Sequence, residues 1–330
     1  MRSRSLAAAL AGLAALLVAT TTTAAGAASP QAVAAACAPK QNIEAIIDDS
    51  GSMALTDSDR LRVRAMELLI DNPANDKRTL GAIEFGTDAS PLFAPAAIDP
   101  NRAAMKSAVN TAVNADNGLT DYNDAFALAG SQSPNADARI FLTDGGHNNE
   151  DGSPYNNGHL GGPPVYVIGL GVFGDSDVVL KKIADDTNGL YRPVDDSSAL
   201  QSAMFDVNAA ISCLSTPITL KNTFTKQGQS VKRSVRLPSG VRSVNTALSW
   251  DDENDAFDIV GIRVIRKGKT VARASKVRKL KVTKRRGATN VTVKISRLVR
   301  GRLAFRLKAT KLSGGGSAQL TTQVVRSKKR

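Results

Sequence analysis

The sequence predicts an α/β fold with a doubly wound, mostly parallel sheet, followed by an all-β sandwich domain. Three observations carry this prediction. Apolar runs alternate with helical patterns up to residue 213, short Val- and Thr-rich runs follow, and the charge changes sign at the same point. Alternating strands and helices are typical of a parallel sheet covered on both faces, whereas successive short strands broken by Gly and Pro are typical of a sandwich.

The first 28 residues have the pattern of a secretory signal peptide. Arg2 and Arg4 precede an apolar run over 6–19, and small residues at 25–28 suit cleavage. Because this run is short for a bilayer span, we expect a secreted, extracellular protein, with association to a cell surface as an option. A membrane anchor is the alternative. No later segment of the sequence is long and apolar enough to be an integral membrane segment of the mature chain.

Strands and helices alternate in the first half. Apolar runs predict buried strands over 43–47, 80–85, 138–142 and 165–170, and a proline-containing edge strand over 91–98. Helical spacing predicts helices over 60–70, 101–113, 122–129, 176–186 and 197–211. This order predicts helices on both faces of one parallel sheet.

The pattern changes to strands alone after residue 213. Alternating Val-, Thr- and Ile-rich segments predict strands over 216–220, 230–237, 242–250, 257–265, 270–274, 289–295, 301–309 and 319–325. We therefore predict three parts: a signal peptide over 1–28, an α/β domain over 37–213 and a basic β-sandwich domain over 214–330.

Polar clusters occupy three places where open α/β sheets bind ligands, beyond the carboxyl ends of their strands. The first cluster, 48–52, reads Asp-Asp-Ser-Gly-Ser and ends the first strand. The second, 118–121, reads Gly-Leu-Thr-Asp and precedes a helix, and the third, 143–145, reads Thr-Asp-Gly and follows the strand over 138–142. These clusters are the candidate binding site.

The three clusters resemble the metal-ion-dependent adhesion site (MIDAS) of von Willebrand factor type A (VWA) domains. The matching residues, in order, are Asp48, Ser50, Ser52, Thr120 and Asp144, and the likeness covers residues 41–213. One departure is visible: the family's glycine before the threonine is Leu119 here, and Gly118 stands one position earlier. The resemblance implies a VWA-like, Rossmann-like fold for this part of the chain.

The same resemblance implies one divalent cation, Mg²⁺ or else Mn²⁺ or Ca²⁺, held by those five residues. Hard cations prefer oxygen ligands, which these side chains supply. With two carboxylates the ion keeps enough positive charge to accept a carboxylate from a protein or glycan ligand, as in the family. The alternative is that the five residues only cap helices and turns.

Other polar residues near the predicted site allow two interpretations. Asp49, Asp57 and Asp59 either make the rim of the site acidic or cap a helix. The segment 147–159 contains both histidines of the chain and reads as a solvated loop that sets specificity, with a second metal site as the alternative.

The only two cysteines, Cys37 and Cys213, bracket the predicted α/β domain. Export places them in an oxidising compartment, where such a pair tends to form a disulfide. The alternative is lipoprotein processing at Cys37, which would leave Cys213 without a partner.

The last third of the sequence is strongly basic. Of 43 Lys and Arg, 29 follow residue 213, together with only 5 of the 30 Asp and Glu. Basic runs lie at 263–269, 276–281, 284–286 and 327–330; on a single strand, Lys276 would share a face with Arg278, and Lys279 with Lys281. This charge suits an anionic cell-surface polymer or is only a solvated surface. The acidic segment 251–255 is a candidate calcium loop.

Together these features predict a secreted adhesion or interaction protein that binds its ligand through the cation and is not an enzyme. The sequence has no Gly-x-Ser-x-Gly elbow, Walker A loop or His-Glu-x-x-His pair, and only two histidines. Two alternatives stay open. One is a structural protein that binds a polyanion or the cell wall and uses the VWA-like part as scaffold. The other is a non-catalytic subunit of a metal-dependent enzyme complex.

Overall fold

The computed structural model describes residues 38–172, 174–273 and 278–326. The predicted signal peptide over 1–28, Cys37 and the basic end over 327–330 lie outside the described residues. None of the helices in the described ranges is long and apolar enough to cross a membrane.

Residues 42–211, which we call the α/β half, form one six-stranded sheet. Its strands are β1 Asn42–Asp48, β2 Thr79–Phe85, β3 Ala89–Ala97, β4 Ala138–Thr143, β5 Val165–Leu170 and β6 Leu190–Val194. The spatial order is β3-β2-β1-β4-β5-β6, and only the edge strand β3 runs antiparallel to its neighbour. This is a doubly wound order, as predicted, in which the chain reverses direction across the sheet between β1 and β4.

Helices cover both faces of this sheet. They are α1 Met53–Thr56, α2 Leu61–Asp71, α3 Ile98–Ala112, α4 Tyr122–Gln132, α5 Asp175–Asp186 and α6 Ser197–Ile211. Side chains of α2, α3 and α6 pack with Ile43 and Ile47 on one face, and those of α4 and α5 pack with Ile46 on the other. Successive β1 side chains thus enter different cores, which explains why the strand is apolar without alternation.

Two elements of this half differ from the prediction. Ile98, expected to end the edge strand, is instead the buried first residue of α3. The strand β6 was not predicted, since Pro193 within Leu190–Val194 argues against a strand. The structure tolerates this proline because β6 lies at the sheet edge, where a missing N–H breaks no ladder on the open side.

Residues 218–326, the β half, form two five-stranded sheets. The strands are β7 Ile218–Phe224, β8 Ser230–Leu237, β9 Val241–Ser249, β10 Ala256–Arg266, β11 Lys269–Arg273, β12 Arg278–Lys279, β13 Lys281–Arg286, β14 Asn290–Ser296, β15 Gly301–Lys311 and β16 Gly316–Arg326. One sheet has the order β12-β11-β10-β15-β8 and the other β13-β14-β9-β16-β7. Apolar residues of both sheets share one core, as expected for a sandwich.

The basic stretch after β11 does not form the single strand that its alternation suggested. Lys276 lies outside the described residues. Lys279 ends β12 in one sheet, whereas Lys281 begins β13 in the other. The buried Leu280 separates them, because the chain crosses between the sheets at this point. The predicted shared face of Lys279 and Lys281 is therefore wrong.

Polar contacts join the two halves. The Arg285 guanidinium lies 2.9 Å from the Asp99 carboxylate, and the Thr292 hydroxyl donates to the Asp71 carbonyl at 2.7 Å. On α6, the Ser202 hydroxyl accepts from the Gln319 amide at 2.9 Å. The predicted domain boundary at 213/214 falls between α6 and β7, so this contact lies across it.

Candidate metal centre

The first loop of the candidate site follows β1 directly. Asp48 is fully buried, and one of its carboxylate oxygens accepts a hydrogen bond from the Ser50 amide at 2.9 Å. This bond turns the chain so that the Ser50 and Ser52 hydroxyl oxygens lie 3.1 Å apart. The Asp-x-Ser-x-Ser spacing thus brings one carboxylate and two hydroxyls together.

The second loop is bonded to the first through the backbone. The Gly51 amide donates to the Gly118 carbonyl at 2.9 Å, and the Asn117 amide donates to the Asp49 carbonyl at 3.0 Å. Thr120, two residues further, is buried, and its backbone pairs with Asn148. These backbone bonds hold the loop that carries Thr120 beside the first loop.

The shifted glycine of this loop has a structural reason. Gly118 has a φ of +61°, and a β-carbon there would lie 2.4 Å from the Thr87 hydroxyl oxygen. That hydroxyl in turn accepts from the Leu119 amide at 2.9 Å. The glycine is therefore required at position 118, one residue before the place it has in the family, because Thr87 closes the turn.

The third loop contacts the first from the opposite side. The Thr143 hydroxyl donates to the second Asp48 oxygen at 2.5 Å. The Thr56 hydroxyl of α1 donates to Asp144 at 2.6 Å. Tyr122 supports this loop from below, since its hydroxyl donates to the Gly145 carbonyl at 3.0 Å. The three predicted loops thus converge at the carboxyl ends of β1 and β4.

The electrostatics of the centre favour a cation. Burial raises the pKa of Asp48 to about 7 even though Ser50 and Thr143 donate hydrogen bonds to it, and the Asp144 carboxylate raises this pKa further. Within the described residues, the neighbouring guanidinium of Arg62 pairs with Asp49 and Asp57, and no Lys or Arg pairs with Asp48 or Asp144. A dication would offset both the burial and the repulsion of the two carboxylates, so the residues present fit one.

The donor set explains which cations suit the centre. In the described part of the chain, no three His, Cys, Asp or Glu side chains meet in one group. Only two carboxylates lie here, and hydroxyl oxygens make up the rest of the set. Such an all-oxygen set suits hard cations such as Mg²⁺, which keep water ligands and need few carboxylates.

A buried ion network lies under the first two loops and was not found from the sequence. Arg62, 1% exposed, approaches Asp57 at 2.7 Å and Asp49 at 3.3 Å. Asp49 also accepts from the Ala115 amide of the second loop at 2.6 Å. Asp49 and Asp57 are therefore internal supports, not rim acids, while Asp57 does accept from the first amides of α2 as a capping residue. Asp59 stays exposed.

A signal for Arg62 existed in the sequence. It stands three, four and seven residues before Ala65, Met66 and Leu69, all of which are buried on one face of α2. An arginine in register with an apolar stripe predicts either a buried pair or a solvated edge. Two aspartates close by in sequence favour the pair.

The histidine segment, 147–159, has no helix or strand and is mostly exposed, as predicted for a solvated loop, but both of its histidines contact other parts of the protein. His147 accepts from the Tyr122 amide at 3.1 Å, and its other ring nitrogen lies 3.1 Å from the Ser153 carbonyl. His159 is fully buried, stacks on Tyr155 and approaches Asp186 at 3.5 Å. Both rings are thus engaged within the protein, which argues against a second metal site there.

An open cavity of about 580 Å³ adjoins the third loop. Gly145, Gly146 and His147 line one side, and Ser176 and Val179 of α5 line the other. This cavity begins one residue after Asp144, so a ligand bound at the centre would meet it directly.

Two further polar features have structural roles. Asp121 begins α4 by accepting from the Asn123 amide at 2.8 Å. In the acidic segment 251–255, the Asp252 and Asp255 carboxylates accept from Ser313 at 2.8 and 2.7 Å. These carboxylates therefore fix a turn between β15 and β16, and no calcium need be invoked for their arrangement.

No family model and no curated protein matches the chain. Structural similarity was found to solved structures. A von Willebrand factor type A protein from Catenulispora acidiphila is 17% identical, has a TM-score of 0.41 and covers 88% of this chain, which spans 59% of that one. The conserved hypothetical protein BatB from Bacteroides thetaiotaomicron is 19% identical, with a TM-score of 0.41, over 52% of this chain and 98% of its own.

A third similar structure contains a bound metal ion. Proximal thread matrix protein 1 from the mussel byssus, in a form with a zinc-occupied MIDAS motif, is 18% identical with a TM-score of 0.43. It covers 56% of this chain, which spans 50% of that protein. All three TM-scores are below 0.5, so the assignment of the fold does not rest on these similarities. The strand order and the three loops are what make the α/β half VWA-like.

Proposed function

We propose that the α/β half binds one divalent cation through Asp48, Ser50, Ser52, Thr120 and Asp144, and that the ion captures a carboxylate of a protein ligand. The strongest support is the convergence of two carboxylates that no Lys or Arg in the described residues pairs with, next to two adjacent serine hydroxyls. When bound, the ion supplies an open position for an external oxygen. The role is binding, not catalysis.

The residues of the centre have two roles: some supply oxygen ligands, and others hold the carboxylates in position. Ser50 and Ser52 present hydroxyl oxygens on one turn, and Thr120, on the loop bonded to that turn, would supply a third. Thr143 holds the Asp48 carboxylate, and Thr56 holds that of Asp144. Because these donors fix the two carboxylates, the oxygen positions are set before a cation arrives.

The surroundings favour a protein over a bare glycan as the ligand. Leu55, in the short helix after Ser52, is 88% exposed, and Val178 and Val179 on α5 are also exposed. Val179 lines the cavity beside the third loop. Exposed apolar side chains next to a polar site suit a partner that adds apolar contacts to one carboxylate. A glycan ligand is the alternative.

Secretion and the Cys37–Cys213 disulfide belong to the same proposal. A binding protein of this kind acts outside the cell, where millimolar divalent cations occupy weak oxygen sites. Cys213 lies two residues after the end of α6, so a bond there would anchor the end of the α/β half.

Calorimetric titration of chelator-treated protein with Mg²⁺ and Mn²⁺ tests the metal site. Ser52→Ala removes one hydroxyl from an exposed position and should weaken binding about tenfold or more, since even outer-shell losses weaken metal sites by about that factor. Ser58→Ala, an exposed serine in the following turn, is the matched control and should bind as wild type. Equal affinities of wild type and Ser52→Ala would overturn the assignment.

Capture of a carboxylate is tested with the manganese-loaded protein. We expect acetate to lower the water-proton relaxation caused by bound Mn²⁺, because it replaces a coordinated water, and acetamide to leave it unchanged. If acetate and acetamide act alike while Mn²⁺ stays bound, the metal site stands but carboxylate capture does not.

A further inference from the structure

One sheet of the β half has a strongly cationic outer surface, which we call the basic face. It consists of Lys232 and Arg236 on β8, Arg302, Arg306 and Lys308 on β15, Arg263 on β10 and Arg273 on β11. Along β15 the basic residues alternate with Leu303 and Phe305, which are buried in the core. The charges on this strand therefore point away from the core.

Strand register sets like charges directly opposite each other on this face. Arg302 lies opposite Arg236, and Arg306 lies opposite Lys232. At the other side of the sheet, Arg263 lies opposite Arg273. Directly opposed side chains have β-carbons about 5 Å apart, and like charges at that distance destabilise a sheet. Three such pairs on one surface lower the stability of the sheet, so the requirements of folding do not explain why they are present.

Acidic side chains do not neutralise this surface. Among the described residues, none of the seven basic side chains forms an ion pair with Asp or Glu. Asp258, the acid opposite Lys308 on β10, instead pairs with Lys284 at 2.7 Å and Arg286 at 3.6 Å on the other sheet. The face thus keeps its full positive charge, and an external anion is the missing partner.

The residues between the charges indicate the class of anion. Positions facing outward between them are small, among them Ser230, Ser234 and Ala304. The aromatic residues of these strands, Phe257 and Phe305, are buried in the core. A surface without exposed rings gives no platform for stacking bases, which argues against single-stranded nucleic acid. Arginine forks with neighbouring hydroxyls suit carboxylate or sulfate groups on sugars.

We propose that the basic face binds an anionic polysaccharide, independently of the metal centre. Regularly spaced carboxylates or sulfates would insert between the opposed basic side chains and relieve their repulsion. Since the face lies on β8, β15, β10 and β11, and the metal centre on the carboxyl ends of β1 and β4, the two activities should be separable.

The experiment measures binding of the whole mature chain to immobilised polygalacturonate, dextran sulfate, neutral dextran and duplex DNA, with chelator present and, in parallel, with Mg²⁺ in its place. The face variant combines Lys232→Gln, Arg302→Gln and Arg306→Gln. The matched control removes the same charge from exposed positions elsewhere in the β half, with Lys221→Gln, Lys226→Gln and Arg242→Gln.

We expect wild type to bind at least one of the two anionic polysaccharides and not neutral dextran, with an affinity that falls steeply as salt rises. The face variant should lose about tenfold or more, and the control less than about twofold. The carboxylated and sulfated polymers distinguish the two sources of charge. Binding that a chelator abolishes would assign the interaction to the metal centre instead.

Three results would overturn the proposal: equal losses in both variants, tighter binding of duplex DNA than of either polysaccharide, or no binding by wild type at low salt. Thermal unfolding checks the fold, and the face variant should unfold at the same or a higher temperature because two like-charge pairs are gone. Acetylation of wild type gives a second readout. Bound polysaccharide should protect Lys232 and Lys308 but not Lys221 and Lys226, and equal reactivity at all four would count against the face.

Discussion

The Gly51 amide donates a 2.9 Å hydrogen bond to the Gly118 carbonyl, and this bond joins the first two loops of the candidate metal centre. It joins the turn that carries Ser50 and Ser52 to the loop that carries Thr120. The position of Thr120 therefore depends on the turn at Gly118, so the geometry of the centre can be perturbed without touching a proposed ligand.

Gly118→Ala should weaken cation binding. The new β-carbon would clash with the Thr87 hydroxyl, and a left-handed φ of +61° disfavours any side chain. We expect a loss of about 2 kcal/mol in the free energy of unfolding. Calorimetry should show weaker Mn²⁺ binding because Thr120 is displaced.

The matched control is Gly152→Ala. Gly152 has a similar φ of +66° but no atom within 4 Å of an added β-carbon. This variant should lose about 1 kcal/mol and keep the affinity for Mn²⁺. Equal Mn²⁺ affinity in Gly118→Ala and Gly152→Ala would contradict the role of the turn.

Arg62→Met should destabilise the α/β half strongly. It leaves the buried carboxylates of Asp49 and Asp57 without their cation, and such losses cost about 3–5 kcal/mol. Urea denaturation measures the change. Lys181→Met, which removes an exposed pair with Asp185, should cost less than about 1 kcal/mol. Similar losses in both variants would show that the Arg62 network contributes no more than a surface pair.

Stability should fall as the pH rises through the range where Glu44 titrates. Burial raises the pKa of this β1 carboxyl to about 7 from its ordinary 4.5, although Gln132 and Ser133 donate to it. Between these values the unfolded chain has lost the proton that the folded protein still holds. The free energy of unfolding therefore decreases from about pH 4.5 to pH 7, by up to about 3 kcal/mol.

Comparison of variants isolates this effect. Glu44→Gln should make that decline shallower and leave the part contributed by Asp48, whose pKa burial also raises to about 7, whereas Glu150→Gln, at an exposed position, should leave it unchanged. Urea denaturation at pH 5 and pH 8 provides the measurement. A decline in Glu44→Gln as steep as that of wild type would contradict the contribution of Glu44.

The disulfide prediction has a direct chemical test. The mature protein should be about 2 Da lighter before reduction than after it, and should contain no reactive thiol when unfolded without reductant. Closing a loop from Cys37 to Cys213 should stabilise the fold by about 4–5 kcal/mol in the chain-entropy model. Two reactive thiols in the unreduced, unfolded protein would rule the bond out.

Much of the α/β half was predictable because its signals are periodic and local. The strand over 165–170 and the helix over 197–211 have the predicted bounds, since apolar runs and helical stripes reflect burial directly. The strand β13, Lys281–Arg286, was missed because four of its six residues are basic. An edge strand can carry such charge outward, and only tertiary pairing with β14 reveals it.

The candidate centre was predictable in its residues but not in its support. Asp48, Ser50 and Ser52 lie close in sequence, so their spacing predicts their grouping. Thr87 contacts the second loop from the turn between β2 and β3 and resembles any other threonine in sequence, and the bond from Thr143 to Asp48 joins residues that are far apart in the chain. The charges of the basic face were visible, but their opposition depends on strand register, which long-range pairing sets.

The central claim is that three loops hold one hard dication. Anomalous scattering from crystals soaked in Mn²⁺ tests it most directly. We predict a single strong peak within about 2.0–2.6 Å of the Ser50 and Ser52 hydroxyl oxygens, between the carboxylates of Asp48 and Asp144. No peak at these loops at millimolar Mn²⁺, or a peak only at another place such as Asp252, would contradict it.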